Sequence, residues 1–253
     1  MHFHLPKPLH GWRELVGEVG IIVIGVLIAL SAEQLVEWAH WQAKVGGAET
    51  AIGRDLALQS DLASERVALK QCNDDRLATL RSAVLSTGDR WTTVLPPTTD
   101  GVTYHVPYSA PVRLWNTQLW DSLVADGTVA HFSSERARTY ALLYDTIRLL
   151  AADNQHELDT ETALKILGDR NVPFTADAKI ALIRTIDDLS AKNAIIVSTS
   201  RQILRRIQDS GHLPTIADTK RRLSDPSSHA LDCRFADAAL NDRVAENWFT
   251  LHR

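Results

Sequence analysis

Apolar residues form one uninterrupted run near the start of the chain, and beyond it they recur at helical spacing. The run covers residues 19–32, VGIIVIGVLIALSA, and contains no charged side chain. At about 1.5 Å per residue the run spans roughly 21 Å, whereas a bilayer core needs about 30 Å. We therefore expect a transmembrane helix to include both flanks, from about Leu15 to Val36, with Glu18 and Glu33 near its two ends.

Three interpretations of this apolar segment are open. A retained anchor is the first. The second is a cleavable signal peptide, with basic residues before the run and small residues near Ser31 as the cleavage site. The third is a buried helix of a soluble protein. The retained anchor is favoured because residues 32–42, AEQLVEWAHWQ, contain no helix breaker and continue the helix into water.

The distribution of charge predicts the orientation of the anchor. Lys7 and Arg13 precede the run, while Glu33 and Glu37 follow it. Basic residues tend to stay on the cytoplasmic side. In a Gram-negative bacterium the protein would then lie in the inner membrane, with its carboxyl-terminal domain in the periplasm. The predicted order is residues 1–14 in the cytoplasm, 15–36 in the membrane and 37–253 outside the cytoplasm.

The anchor sequence GEVGIIVIGVLIALSAEQLVEW also resembles that of a bacterial family of single-pass membrane proteins of unknown function. In that family a Gly-Glu pair precedes an apolar run that ends in Ile-Ala-Leu, and a Trp-containing helix follows. The matching residues are Gly17, Glu18, Gly25, Ile28, Ala29, Leu30 and Trp38. A looser likeness covers Leu114–Ile147. Because the family has no assigned activity, the resemblance implies a topology and no chemistry.

Helical periodicity after the anchor predicts an all-α fold, in which an N-terminal transmembrane helix is followed by an extracytoplasmic bundle of long helices. The first long helix is marked by Ile52, Leu56, Ala63 and Val67. We expect it to run to about Ser86, with a flexible point before it at the glycine pair Gly46-Gly47. Residues 89–112 hold most of the prolines, which predicts one irregular loop, with a short hairpin inside it as an option.

Two further helices show clear start and stop signals. Gly127 is placed to stop one helix, and Ser133 or Ser134 to cap the next. Thr175 is placed to cap the helix after that. The apolar stripe of the helix after Ser134 consists of Tyr140, Leu143, Tyr144, Ile147 and Leu150. A final helix is predicted from Leu240, Val244, Trp248 and Leu251.

The helix after Thr175 carries a coiled-coil-like seam with two polar interruptions, Asn193 and Ser200. A buried Asn can set helix register or oligomeric state, so a homo-oligomer through this seam is one hypothesis. The alternative is a long helix that packs inside a single subunit. The seam residues are Leu182, Ile186, Leu189, Asn193, Ile196, Ser200, Ile203 and Ile207.

The two cysteines, Cys72 and Cys233, each lie on an apolar helical stripe. An even number of cysteines in an exported domain permits a disulfide bond. Such a bond would join the first long helix to the last. The alternative is a pair of buried free thiols.

The charge pattern excludes some functions. The net charge is −4 with acids and bases interspersed, whereas a nucleic-acid binder would present a basic face. His2 and His4 form a possible chelating pair, and Asp153, His156, Glu157, Asp159 and Glu161 form an acidic patch. A disordered terminus and a solvated helix face are the simpler interpretations. We predict no catalytic residue, metal site or cofactor.

Glu18 stands out because a carboxylate just inside an apolar span is a candidate functional residue. It could pair with a base on a partner helix, and the small residues Gly25 and Ala29 would let that helix approach closely. The alternative is that Glu18 reaches water at the headgroup level.

These features favour a non-enzymatic protein anchored in the lipid bilayer that binds a membrane or envelope protein partner, or senses a signal at the cell envelope. Two alternatives remain. One is a cell-envelope hydrolase whose site is assembled from scattered Asp, Glu and His residues. The other is a secreted helical protein, released by cleavage near Ser31.

Overall fold

Long helices dominate the structure. A computed structural model describes residues 11–91, 108, 110–111, 113–168 and 172–212, apart from the Glu14 side chain. The helices in these residues are α1 (Trp12–Ser86), α2 (Gln118–Ala125), α3 (Ser134–Glu161) and α4 (Ala176–Asp209). The predicted all-α class is confirmed, and the extracytoplasmic bundle stays a prediction.

The chain divides into two compact units, residues 1–49 and residues 50–253. Helix α1 continues through Gly46 and Gly47 without a break, so the glycine pair expected to be a flexible point does not interrupt the helix. Glycine costs a helix only about 1 kcal/mol relative to alanine, and the helix-forming residues around the pair can absorb that cost. The predicted membrane borders at residues 14 and 36 stay predictions.

In the second unit, three helical segments pack around a common core. The Asp55–Tyr144 and Arg66–Glu157 hydrogen bonds show that α3 runs in the same direction as α1. The Arg81–Asp187 and Asn73–Asn193 hydrogen bonds show that α4 runs in the opposite direction to α1. The segment between α1 and α3 must therefore return the chain along the length of the unit before α3 begins.

Helix α2 packs through aromatic rings on the first half of α3. The Trp120 ring stacks on Tyr144, with centroids 5.4 Å apart, and meets Tyr140 edge to face. Phe132, just after a 3₁₀ segment at Thr128–His131, also contacts Tyr140. All four aromatic side chains in these contacts are buried.

The other end of the core is closed by a small antiparallel sheet. Strand β1 (Arg90–Trp91) pairs with strand β2 (Val172–Pro173), which follows a 3₁₀ segment at Thr162–Gly168. The buried Trp91 ring stacks on Phe174, and its Nε1 donates to the Leu167 carbonyl at 2.9 Å. Strand β1 lies in the predicted irregular loop at 89–112, but its partner is β2, outside that loop. Most of the loop, residues 92–107, lies outside the described residues.

The helix ends predicted at Ser86 and Gly127 and the caps predicted at Ser133 and Thr175 agree with the structure, whereas α3 ends at Glu161, before Gly168. Helix α1 ends at Ser86. Gly127 adopts the left-handed conformation after α2, at φ 79°. Ser133 caps α3 by accepting from the Arg136 amide, and Thr175 caps α4 by accepting from the Ala178 amide. All five residues of the α3 stripe are buried. The predicted final helix at Leu240–Leu251 lies outside the described residues.

The predicted seam of α4 is buried within one chain. All eight of its residues are buried, including Asn193 and Ser200. The Asn193 amide donates to Asp74 Oδ1 at 2.7 Å, and its Oδ1 lies 3.4 Å from Asn73 Nδ2. These contacts favour the alternative in which α4 packs inside a single subunit. A homo-oligomer through this seam would have to draw these side chains out of the core.

Candidate functional site

The first unit exposes an apolar surface along α1. Twelve Val, Ile and Leu side chains between Val16 and Val36 are 49–74% exposed. Among the described residues, one helix is long and apolar enough to cross a membrane, and its most apolar window is not buried at all inside the protein. This exposure argues against the interpretation as a buried helix of a soluble protein, because such a helix would cover its apolar side chains.

Tryptophans flank the apolar surface of α1. Trp12 precedes it, and Trp38 and Trp41 follow it. Trp12 and Trp38 are exposed. The Lys44 ammonium lies 4.8 Å from the Trp41 ring centroid, close enough for a cation–π interaction. Aromatic rings and basic side chains of this kind concentrate at membrane–water interfaces.

The predicted pairing residues share one face of α1. Glu18, Gly25 and Ala29 follow one another at intervals of seven and four residues, so that they lie along one side of the helix. All three are exposed. A side chain at Gly25 would meet no other atom within 4 Å. The predicted approach of another helix along this face is therefore sterically open.

The second unit contains a cluster of charged residues in its interior. Residues 59–66 of α1 are all buried, on every side of the helix. Helix α3 lies on one side of this stretch. Three described residues, Tyr108, Ala110 and Arg113, called here the 108–113 segment, are hydrogen-bonded to glutamates of α1 or α3. The cluster consists of Glu65, Arg66, Tyr108, Arg113, Glu157 and Glu161.

At the centre of the cluster is a fully buried ion pair. Arg66 Nη2 donates to Glu157 Oε1 at 2.8 Å, and both side chains are 0% exposed. The Tyr108 hydroxyl donates to the same oxygen at 3.3 Å. Arg66 Nε and Nη1 and Glu157 Oε2 have no hydrogen-bond partner within the described part of the chain. The pair therefore uses only a fraction of its hydrogen-bonding capacity.

Two further carboxylates hold the 108–113 segment. The Ala110 amide donates to Glu161 Oε2 at 3.0 Å. Arg113 binds Glu65 in a bidentate manner, with Nε and Nη2 each 2.6 Å from a carboxylate oxygen. Counting Tyr108 on Glu157, three described residues of the segment are each bonded to a different glutamate of α1 or α3.

The pKa values in this unit are shifted by burial and by neighbouring charges. Burial raises the pKa of the Glu161 carboxyl, and the nearby charge of Glu157 raises it further. Burial also raises the pKa of the Tyr108 hydroxyl, so that Tyr108 remains a neutral donor. The hydrogen bond to Glu65 raises the pKa of Arg113. Elsewhere in the unit, burial raises the pKa of Asp55, which accepts from the Tyr144 hydroxyl at 2.8 Å.

The acidic patch considered from the sequence is divided between two faces of α3. Glu157 and Glu161 lie in the interior. The other three members face outwards, where Asp153 contacts Lys192, His156 contacts Asp188 and Asp159 contacts Gln155. Among the described residues no group of three His, Cys, Asp or Glu side chains could hold a metal ion. The solvated helix face expected for the whole patch is therefore wrong for Glu157 and Glu161.

Of the two cysteines in the predicted disulfide, only Cys72 lies among the described residues. Cys72 is half-buried on α1 and is disulfide-bonded in the structure. Cys233, the chain's other cysteine, lies outside the described residues. The possible chelating pair, His2 and His4, also lies outside them. The bond between Cys72 and Cys233 stays a prediction.

The interior cluster was not predicted from the sequence, although a signal was present. The α3 stripe continues from Leu150 through Asn154 to Glu157 and Glu161 at steps of four, three and four. On α1, Arg66 falls three residues after the buried Ala63. An acid or a base that continues an apolar stripe is expected to face the core and therefore to need a partner. The hydrolase alternative stays a hypothesis, since acids do converge here.

Comparison of the chain with protein-family models, with curated proteins and with solved structures found no match.

Proposed function

We propose that the protein is a single-pass membrane protein that binds a protein partner or senses a signal at the cell envelope. Its first unit is the anchor, and its second unit is an extracytoplasmic helical bundle. The observation that carries this proposal is the apolar surface of α1 at residues 15–36. Water-exposed Val, Ile and Leu side chains on successive turns would be costly in a soluble protein, and lipid covers them at no such cost.

The dimensions of α1 support a membrane span. From Leu15 to Val36 the helix rises about 32 Å, against about 30 Å for a bilayer core. From Trp12 to Trp38 it rises about 39 Å, close to the roughly 40–45 Å of a bilayer with its headgroups. The tryptophans and the lipid boundary therefore coincide at both ends. Ser31, inside the span, donates its hydroxyl to the Leu27 carbonyl, so this donor has an acceptor within the helix.

The orientation rests on the basic residues that precede the span. Lys7 and Arg13 come before it, and the first Lys or Arg after it is Lys44. Acidic residues contribute little to this rule, so that Glu14 does not offset the bias. The second unit is then exported. In a Gram-negative bacterium it would lie in the periplasm, on the outer face of the inner membrane.

A partner helix in the membrane would use the face of α1 that carries Glu18, Gly25 and Ala29. The two small residues permit close backbone contact, and a base on the partner would neutralise Glu18 at the edge of the apolar core. The experiment is to compare E18L with E33L, which removes the exposed carboxylate at the other end of the span. Each variant is cross-linked in intact cells, extracted in detergent and examined by mass spectrometry.

Both variants should remain in the membrane fraction, because removing a carboxylate from an apolar span favours insertion. E18L should lose a membrane protein that the wild type and E33L retain. If E18L cross-links to the same proteins as the wild type in the same amounts, the pairing of Glu18 with a partner is refuted.

A further inference from the structure

A strip of exposed apolar side chains runs along the outer surface of α3 and α4. Its members, called here the α3–α4 strip, are Leu142 and Leu149 on α3 and Ile195 on α4, which are between 44% and 66% exposed. Leu142 and Leu149 are seven residues apart and therefore lie on the same side of α3. Neighbouring exposed apolar residues of this kind mark interaction sites, whereas single ones need no explanation.

An ion pair between the two helices shows that the strip is shared by both. Asp153 on α3 contacts Lys192 on α4 at 3.0 Å. Leu149 lies about one turn before Asp153, and on the other helix Ile195 lies about one turn after Lys192. Since α3 and α4 run in opposite directions, both steps lead the same way along the surface. Leu149 and Ile195 therefore flank the same stretch of the groove between the helices.

Two arginines lie at one end of the strip. Arg138 is eleven residues before Leu149, and Arg206 is eleven residues after Ile195. Eleven residues make about three helical turns, or about 16 Å, so that both arginines stay on the side of the strip. Arg138 is exposed and Arg206 is half-buried. Across the described part of the chain neither guanidinium forms a salt bridge, although Arg148 of α3 does.

The acids closest to the two arginines leave both guanidinium groups available. Glu135 and Asp209 each lie three residues from one of the arginines, towards the end of its helix, and within the described chain neither acid forms a salt bridge. Asp145, on the outer face of α3, is bound by Arg148 at 2.6 Å. A carboxylate brought to this end of the strip would therefore meet two arginines that have no acid of their own.

We propose that the α3–α4 strip, with Arg138 and Arg206 at its end, binds an acidic amphipathic helix of a protein partner. A helix of that kind buries its apolar face in a groove between two helices. Arginine binds carboxylates through planar, bidentate hydrogen bonds and is enriched among the residues that dominate protein interfaces. The inference rests on the proposed function, which supplies a protein partner, and it assigns that partner a surface and a chemistry.

Photo-crosslinking in intact cells tests the surface with the full-length protein. Photoreactive benzoylphenylalanine replaces Leu149, and in a control it replaces Ile180, a 50% exposed residue of α4 that lies outside the strip. Cross-linked peptides are identified by mass spectrometry. Position 149 should cross-link to a protein through an acidic segment, and position 180 should not. The proposal is overturned if position 149 yields no product that position 180 lacks, or only a product with a second copy of this chain.

Charge reversal tests the two arginines. R138E/R206E, combined with the photoreactive residue at position 149, should lower the yield of the cross-link about tenfold or more, because like charges would then face each other. Lysines in place of the acids of the cross-linked segment should restore the yield. R184E reverses an exposed arginine near the other end of α4 and should leave the yield unchanged. R138Q/R206Q, which removes the charges without reversing them, should give a smaller loss and serves if R138E/R206E does not fold. An unchanged yield in a double variant that circular dichroism shows to be folded would overturn the proposal.

The binding surface and the proposed function can fail separately. If the protein sediments with membranes while position 149 captures no acidic segment, the surface is refuted and the anchor stands. If the cross-linked protein is cytoplasmic and the yield depends on Arg138 and Arg206, the surface stands and the export of the second unit is refuted.

Discussion

At the scale of the residue, the energetics centre on Arg66 and Glu157. Removing two charges from water costs several kcal/mol per ion, and their attraction offsets that cost only when the remaining hydrogen-bonding groups are satisfied. Here Arg66 Nε and Nη1 find no partner within the described part of the chain. The pair is therefore expected to add little net stability, whereas an unpaired member would be strongly destabilising.

This asymmetry can be measured with substitutions to methionine, which is close in volume to both side chains. R66M should lower the free energy of unfolding by about 3–5 kcal/mol, because Glu157 is left buried without its base. R66M/E157M should recover most of that loss. The Tyr108 hydroxyl then lacks an acceptor, which costs about 1 kcal/mol. Urea unfolding of the detergent-solubilised protein, followed by circular dichroism, gives both values.

A double variant as unstable as R66M would contradict this account of the pair. R81M supplies the control, because the Arg81–Asp187 pair lies on the surface of the same helices. Exposed ion pairs contribute only about 0–1 kcal/mol, so that R81M should change the free energy of unfolding little.

At the scale of the element, periodicity predicted the helices well and assigned individual polar residues less well. Caps and stops at Ser133, Thr175 and Gly127 depend on local chemistry, which the sequence displays directly. The solvated face expected for the acidic patch is wrong for Glu157 and Glu161, because residues close in sequence point to different sides of a helix. The partner of β1 was missed because Val172 and Pro173 lie some eighty residues further along the chain, and two-residue strands carry no periodic pattern.

Asn193, a buried polar residue in the apolar seam of α4, can be tested by substitution. N193L should lower the free energy of unfolding by about 1–3 kcal/mol, because the buried Asn73 loses its partner. The mass measured by light scattering after gel filtration should not change, since Asn193 contacts α1 of its own chain. S200A is the matched control. Its hydroxyl has no partner among the described residues, so its removal should cost little.

A change of oligomeric state in N193L alone would instead support the homo-oligomer considered from the sequence. It would require the Asn73–Asn193 contact to be formed between two chains.

At the scale of the whole molecule, the two units call for different environments. Residues 15–36 of the first unit carry apolar side chains that nothing in the described chain covers. The second unit has an apolar core that also contains buried charged residues. The apolar run of the first unit can be recognised in a sequence window of about twenty residues. The buried charged cluster of the second unit depends on contacts between α1, α3 and the 108–113 segment. These contacts join residues about fifty to ninety positions apart, which a local sequence pattern does not show.

The central claim is that α1 crosses the membrane and that the second unit lies outside the cytoplasm. Proteinase K treatment of spheroplasts from a Gram-negative host, with a carboxyl-terminal epitope on the protein, tests it most directly. A cytoplasmic marker must stay intact, and detergent lysis must expose both proteins. We expect the epitope to be lost from intact spheroplasts and the full-length chain to sediment with membranes. An epitope protected until lysis, or a full-length chain in the high-speed supernatant without detergent, would contradict the claim.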